Sequence, residues 1–541
     1  MNRLSLHLWV TLLLLSWPAT LGLAAQPPTV EGPPPDLDAT PEEEGLDVPV
    51  EPVANDDEDM DDEDAALFEE ASAADFNIPE PGDSFINDDS MKKKLIWRGY
   101  IESDFRFTPE KDVDFLRTES TASSRLSALF GRHVAAVADA RFVYTERSEA
   151  VDFAGLTNRS LLDPWRLESD ELFVEFRDVG VDGLDIRLGR QVVIWGSADR
   201  FHPTSNLNPL DVEDPLQFGA AVGNQMLLVR WRPDAMAGEA ENPWFDEFNL
   251  ELVCVPVFKP AQLPESAGFA FTDQDELERR ATSPVLKELI DEQKLKMQQG
   301  WTFAYEPTVQ LPESNLQNAM AGARMSFRLM GVDLGFSYFR GFDDFPRAEK
   351  VTNETLGLDV TSRVQLTYPR VQVIGADMAT SLGFLGGMGL WAEVGMTFHD
   401  DLYRLIDTFP LDSGVVSEKE HSAGHFIKAV VGMDYSITPW WYVNVQYMHG
   451  FLDEFGADQL KHYIVAGSDI KMARDKVLLR FFGIVSLEDQ SFVLFPQVVL
   501  KPWNNGEFAV GSFLFMGESD TKFGSPAAGR SNVFLKGRVS F

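Results

Sequence analysis

From Leu95 onward the chain alternates apolar and polar positions. One row reads Leu95, Trp97, Gly99, Ile101, Ser103, Phe105, Phe107, and the intervening row reads Ile96, Arg98, Tyr100, Glu102, Asp104, Arg106. Successive side chains of an extended backbone point to opposite faces, so this alternation predicts a strand with one apolar and one charged face. The pattern returns at Leu184, Ile186, Leu188 against Asp185, Arg187, Gly189, and at Ala323, Met325, Phe327, Leu329 against Arg324, Ser326, Arg328. It returns again at Trp441, Val443, Val445, Tyr447 against Tyr442, Asn444, Gln446, Met448, and in the last ten residues. A single such strand suits a soluble sandwich equally well. Recurrence in segments of roughly 9–11 residues, apolar outside and polar within, is what a transmembrane barrel requires.

The connections alternate as well. Tight turns are expected at Val179–Gly183, Met330–Gly331, Ser436–Pro439 and Trp503–Gly506, with long polar stretches at Glu146–Ser169, Ser197–Val222 and Asp400–Ala423 between them. Short periplasmic turns opposite long outer loops are the outer-membrane arrangement. The pattern predicts an all-β fold, a transmembrane antiparallel up-and-down β-barrel of about 18 strands (16–18), in which an even count leaves both ends inside. Thr361–Thr380 and Leu460–Lys471 are weakly patterned. The longest outer connection, about Pro260 to Asn318, carries a helix signal at Thr282-Ser283-Pro284, with Leu286, Leu289, Ile290 and Met297 on one stripe. Such a helix either plugs the barrel or packs across its rim.

Charge divides the chain of 541 residues further. Its formal net charge is −40, from 86 acidic and 46 basic side chains, which argues against a nucleic-acid partner. The lone cysteine, Cys254, excludes an intramolecular disulfide scaffold and a cysteine-rich zinc site. Residues 1–25 have the order of a secretory signal peptide: Arg3, an apolar run Leu4–Leu15, then Gly22, Ala24 and Ala25. Residues 26–91 hold 23 acidic residues and no lysine or arginine. Such a segment buries too little apolar surface to offset its ordering entropy, so a disordered acidic periplasmic tether is expected. Neither an EF-hand loop nor an esterase nucleophile block is formed in it, although Gly82-Asp83-Ser84-Phe85 touches the latter pattern. Residues 92–541, the expected barrel, keep a net −18, compatible with a mild cation bias.

The end of the chain is a further barrel sign. Phe541 is preceded at every second position by Val539, Gly537, Leu535 and Val533, which resembles the signal read by the barrel-assembly machinery of Gram-negative outer membranes. That machinery and outer-membrane lipid are the expected partners, with a periplasmic partner for the acidic segment as a further one. Contacts between copies would use the same apolar face as lipid, so the pattern is silent on oligomeric state.

One stretch carries candidate chemistry: Gly189-Arg190-Gln191, then Trp195-Gly196-Ser197-Ala198-Asp199, and later Asn208-Pro209-Leu210-Asp211. With Val255-Pro256-Val257-Phe258-Lys259-Pro260 and Arg340-Gly341-Phe342-Asp343-Asp344-Phe345-Pro346, these blocks resemble a Gram-negative outer-membrane β-barrel family, catalogued as domain of unknown function 1302 and described as porin-like. The resemblance spans most of Leu95–Phe541 and leaves out the acidic tether. Lys259 stands where family members commonly carry an acid. The family implies fold and location, and for some members a partnership with inner-membrane exporters of hydrophobic compounds.

From the residues themselves, Arg190, Gln191, Trp195, Asp199, Asn208 and Asp211 are the candidate constriction. An inward-folded loop would set Arg190 against Asp199 and Asp211, either as a transverse field for polar solutes or as a pair that pins the loop. Arg98, Glu102, Asp104, Arg106, Arg187, Arg324, Arg328, Asn444 and Gln446 are expected to line the lumen, and Gly537, Val539 and Phe541 to carry the assembly signal. His421 and His425, near His399, Asp400 and Asp401, have zinc-like spacing, but Ser422-Ala423-Gly424 favours a loop-to-strand passage, so no metal site and no cofactor are expected. No nucleophile–base spacing stands out, and the protein reads as other than an enzyme, an outer-membrane hydrolase being a distant alternative. Three functions compete: a passive channel for small solutes, a carrier or binder of hydrophobic compounds, and a structural anchor for the acidic tether.

Overall fold

The computed structural model describes residues 93–541 apart from 110–112, 149, 151, 154, 215–218, 234–244, 269–283 and 409–413. The expected signal peptide and acidic tether lie outside the described residues, and the first strand begins at Lys93.

Nineteen strand segments form one sheet closed on itself, each wall strand antiparallel to its neighbours. Trp165–Glu168 and Leu172–Phe176 occupy one place beside Val134–Thr145, which pairs with the first through Arg141–Tyr144 and with the second through Val134–Ala138. The wall therefore has eighteen positions. The break between the two segments is braced by the Asp139 carboxylate, which accepts the N–H groups of Asp170 and Glu171. Closure is made by Lys93–Phe107 against Asn532–Ser540, with Tyr100 opposite Ser540 and Phe107 opposite Val533. Closing the sheet leaves no wall edge to pair with other chains.

Alternation sorts the faces as the sequence indicates. Leu95, Trp97 and Ile101 are more than half exposed, as are Leu188 and Val539, so the apolar rows form the outer surface. Asp104, Arg106, Glu175, Glu251, Glu393, Asn444 and Gln446 are buried on the inner one. An apolar belt is the surface that hydrocarbon solvates, and the saturated strand pairing satisfies the backbone there. Among the described residues no helix is long and apolar enough to cross a membrane.

One end of the barrel carries short turns, at Met330-Gly331, Pro439-Trp440 and Asn504-Asn505. The other carries long connections, three of which build a second, five-stranded sheet from Thr302–Val309, Arg347–Leu356, Asp359–Thr367, Leu402–Thr408 and Gly414–His421. The weakly patterned region 361–380 thus divides between this sheet and the wall strand Arg370–Leu382, and Leu460–Lys471 corresponds to the wall strand His462–Met472. The expected helix forms at Pro284–Gln298. It packs beside Thr302–Val309, where Tyr305 Oη donates to Gln293 Oε1 at 2.8 Å, and none of its described residues lines the lumen chamber found below. That placement fits the rim reading of the helix.

Candidate functional site: an inward loop and the chamber beside it

The wall strand Leu184–Gln191 ends level with its partners, with Gln191 opposite Asn224 and Arg190 opposite Leu172, and there the chain turns into the barrel until it rejoins the wall at Asn224–Trp231. The neck is tied by Asn208, whose Nδ2 donates to the carbonyls of Gln191 and Val222 (both 2.9 Å) while its Oδ1 accepts the Val193 N–H at 2.8 Å. Gln191 is fully buried and donates to the Met226 carbonyl.

Beyond the neck the loop meets successive parts of the wall. Trp195 is 1% exposed, and its indole Nε1 donates to Glu251 Oε2 at 2.8 Å, while Arg230 holds the other carboxylate oxygen at 2.8 Å. Glu393, from Met388–His399, accepts four hydrogen-bond partners from the loop: the N–H groups of Ala198 and Thr204, the Thr204 hydroxyl and the His202 ring. Gly196 passes so close that a Cβ would stand 2.2 Å from Glu393 Oε2, and its φ of +108° suits glycine alone. Asp199 accepts from Asn444 Nδ2 at 3.2 Å and Gln446 Nε2 at 3.3 Å. On the far side, Asp214 takes Arg106 Nη1 at 2.6 Å and Arg117 Nη1 at 3.0 Å, with Glu213 on Arg117 Nη2 at 2.9 Å. The loop thus touches walls on opposite sides of the lumen and narrows it.

Beside the loop lies a chamber of about 1360 Å³ that reaches the long-loop end. Its two sides differ. Phe482, Phe495, Phe513 and Phe515 come from three neighbouring wall strands, with Phe451, Phe523 and Phe201 adjoining them. Phe495 and Phe513 stack with centroids 4.4 Å apart. Arg106, Arg117 and Glu119 come from the first two wall strands, which follow Asn532–Ser540 around the barrel. Arg200, at the loop's turn, has φ +64° and sits with its guanidinium 5.9 Å from the Phe482 ring centroid. Arg480 points the same way from beside Phe482, its Nη2 2.9 Å from Asp469 Oδ2.

The expected constriction is corrected in one respect. Arg190 shares parity with the outward Leu188, so it leaves the lumen and donates from Nε to the Ser169 carbonyl. It faces neither Asp199 nor Asp211, which removes both the transverse field and the pinning pair. Its neighbourhood is the rim, where burial first and then the Arg190 charge push the Lys259 ammonium below its ordinary value. Asp211 pairs with Ala220 in a short ladder and accepts the Glu213 N–H at 2.9 Å. Burial pushes its carboxyl up to about 6. Next to it, Leu210 N donates to Asp344 Oδ2 at 3.1 Å, and Asp344 is also pushed up, by burial and then by Asp343.

Of the residues expected to line the lumen, Asp104, Arg106, Asn444 and Gln446 are buried, whereas Arg98 is exposed near the start of the first strand. Glu102 meets Lys536 at 3.0 Å, Arg187 meets Glu175 at 2.6 Å and Arg324 meets Asp377 at 2.8 Å. Arg106 is held by Asp104 as well as Asp214. Arg328 sits near the short turns with Asp333 at 2.8 Å. Phe541 exchanges both backbone hydrogen bonds with Gly99, each 2.8 Å. The rings of His399 and His421 lie 6.1 Å apart, each beside Phe455, and no group of three or more potential metal ligands is gathered among the described residues. Glu251, Glu393, Arg200, Arg480 and the phenylalanine side escaped the sequence reading. A lone inward charge between apolar neighbours, as in Trp391-Ala392-Glu393-Val394, was the available signal.

A closed antiparallel barrel with an apolar belt and a charged lumen defines the class, an outer-membrane-type β-barrel. Residues 159–403 match the family described as "Protein of unknown function (DUF1302)". Over that stretch the chain is similar to this family, and its fold is that of an outer-membrane β-barrel. No curated protein matches it. Similar solved structures include OmpT of Vibrio cholerae in its trimer form, with 10% identity, TM-score 0.33, and 83% of this chain and 99% of that chain covered. The Salmonella typhi OmpF complex with daunomycin is similar at 9% identity and TM-score 0.34, covering 83% and 98%. OccAB1 of Acinetobacter baumannii follows at 8% identity and TM-score 0.44, covering 83% and 96%.

Proposed function

We propose that the protein is an outer-membrane channel for small solutes, narrowed by the loop between Gln191 and Asn224. The short turns and the first strand's start face the periplasm in this reading, which places the acidic segment there too. The observation that carries it is the loop itself, docked on opposite walls while leaving a chamber open to the long-loop end. Buried, hydrogen-bonded polar anchors hold a fixed aperture, where a loop resting on water would fluctuate. In planar bilayers the purified protein gives discrete conductance steps. A barrel that inserts, shows heat-modifiable mobility on gels and passes no current overturns the channel. The handling of hydrophobic compounds is a second reading, favoured by the phenylalanine side of the chamber.

A further inference from the structure

We propose that the chamber is a binding site for an amphiphilic organic anion, a molecule with an apolar or aromatic body and one carboxylate. The site rests on the channel reading only for its route, since binding needs no passage. Three observations carry it. First, inward positions of a water-filled barrel are expected to be polar, yet Phe482, Phe495, Phe513 and Phe515 all turn inward on adjacent strands. They are phenylalanines, with neither hydroxyl nor indole N–H, so the surface offers dispersion and edge or face contacts and no hydrogen bonds. A sugar or other polyol would leave its hydroxyls unpaired against it.

Second, the remaining lining is cationic in excess. Nine arginine and lysine side chains border the chamber against five carboxylates among the described residues, although the expected barrel as a whole is acidic. Several of the carboxylates that neutralise these arginines, such as Asp104, Asp214 and Asp469, are not lining residues, so the guanidinium side is the one presented to a ligand.

Third, the two surfaces meet at one place. Arg200 lies over Phe482, and Arg480 is two residues from Phe482 on the same inward row. Arg200 holds a left-handed backbone that a non-glycine residue adopts at a cost, which marks the turn as shaped to present this side chain. A carboxylate at Arg200 and Arg480 leaves its apolar body on Phe482, Phe513 and Phe515, and guanidinium groups match carboxylates in geometry as well as charge. The volume of about 1360 Å³ admits a drug-sized body with accompanying water.

The test is calorimetric titration of the full chain in lipid nanodiscs with 1-naphthoate, beside its neutral counterpart 1-naphthalenemethanol and beside acetate. Empty nanodiscs subtract lipid partitioning. Naphthoate binds at least about tenfold more tightly than either comparator, as expected when apolar contact and a charge-assisted hydrogen bond are both required. Arg200→Gln and Phe482→Leu each weaken naphthoate by roughly tenfold, and the first erases the preference over the alcohol. Phe515→Leu serves if Phe482→Leu loses heat-modifiable mobility. Equal binding of naphthoate and the alcohol overturns the proposal, as does wild-type affinity in folded Arg200→Gln and phenylalanine variants. Bilayer recordings on the same samples separate the two readings. Binding without conductance removes the channel and keeps the site, whereas conductance without binding removes the site alone.

Discussion

Glu393 gathers four hydrogen-bond partners from a loop almost two hundred residues earlier in the chain. A hydrogen bond to a charged group contributes about 1.5–3 kcal/mol, so Glu393→Ala weakens docking of the loop by at least about 3 kcal/mol. The expected result is a larger and noisier single-channel conductance than wild type; unchanged traces would show that the loop is held elsewhere. A second residue-scale effect concerns pH. The folded state holds the Asp211 carboxyl at about 6 and Asp344 also above its ordinary value. For acids with a raised folded pKa, the fold is favoured when they are protonated, and that stability is lost as pH rises from about 4 through 6. Between pH 5 and pH 8 the thermal unfolding temperature therefore falls, and Asp344→Asn makes the fall shallower. Carboxylates with lowered pKa act below this window and leave the comparison intact.

At the scale of the element, the closing seam is the most constrained part of the wall. A Cβ on Gly99 would lie 2.4 Å from the Ser123 carbonyl oxygen and 2.8 Å from Phe541 Cζ, and the Phe541 ring sits 5.1 Å from that of Trp97. Gly99→Val forces these groups apart at about 1–3 kcal/mol or more, so less heat-modifiable barrel accumulates in membranes, as gel mobility at two sample temperatures will show. Strands were legible in the sequence because each has one face against hydrocarbon and one against the lumen, an imprint with period two. The inward loop was legible only as one alternative, raised by Arg190 with Asp199 and Asp211; a tryptophan such as Trp195 is out of place in a solvated connection, whereas an aspartate is at home there. The direction of Arg190 follows from the alternation itself: Asp185, Arg187, Gly189 and Gln191 face inward, so the residue between the last two faces out. The phenylalanine side was hidden because strands with apolar residues on both faces show no alternation, as in Phe481-Phe482 and Phe513-Leu514-Phe515. The outer sheet, built from three separate loops, leaves no local mark at all.

For the whole molecule, net charge is a poor guide to the ion preference of a channel of the proposed kind. The acidic total suggests cations, but arginine and lysine outnumber carboxylates around the chamber beside the loop, and ions respond to the local field rather than to the net charge. Under a potassium chloride gradient the reversal potential is expected to show chloride preferred over potassium; the opposite sign would mean that the carboxylates behind the arginines prevail. The reach of the loop has a consequence in time as well. Ala198 and Glu393 are 195 positions apart, and Asp199 and Asn444 are 245 apart. Contacts of such separation form late, because the intervening chain must first be ordered. Docking of the loop on Glu393 and Asn444 requires the wall strands that carry them, so it is expected to follow the formation of that part of the wall. If the barrel conducts as proposed, one whose loop has not yet docked has a wider aperture than the mature molecule.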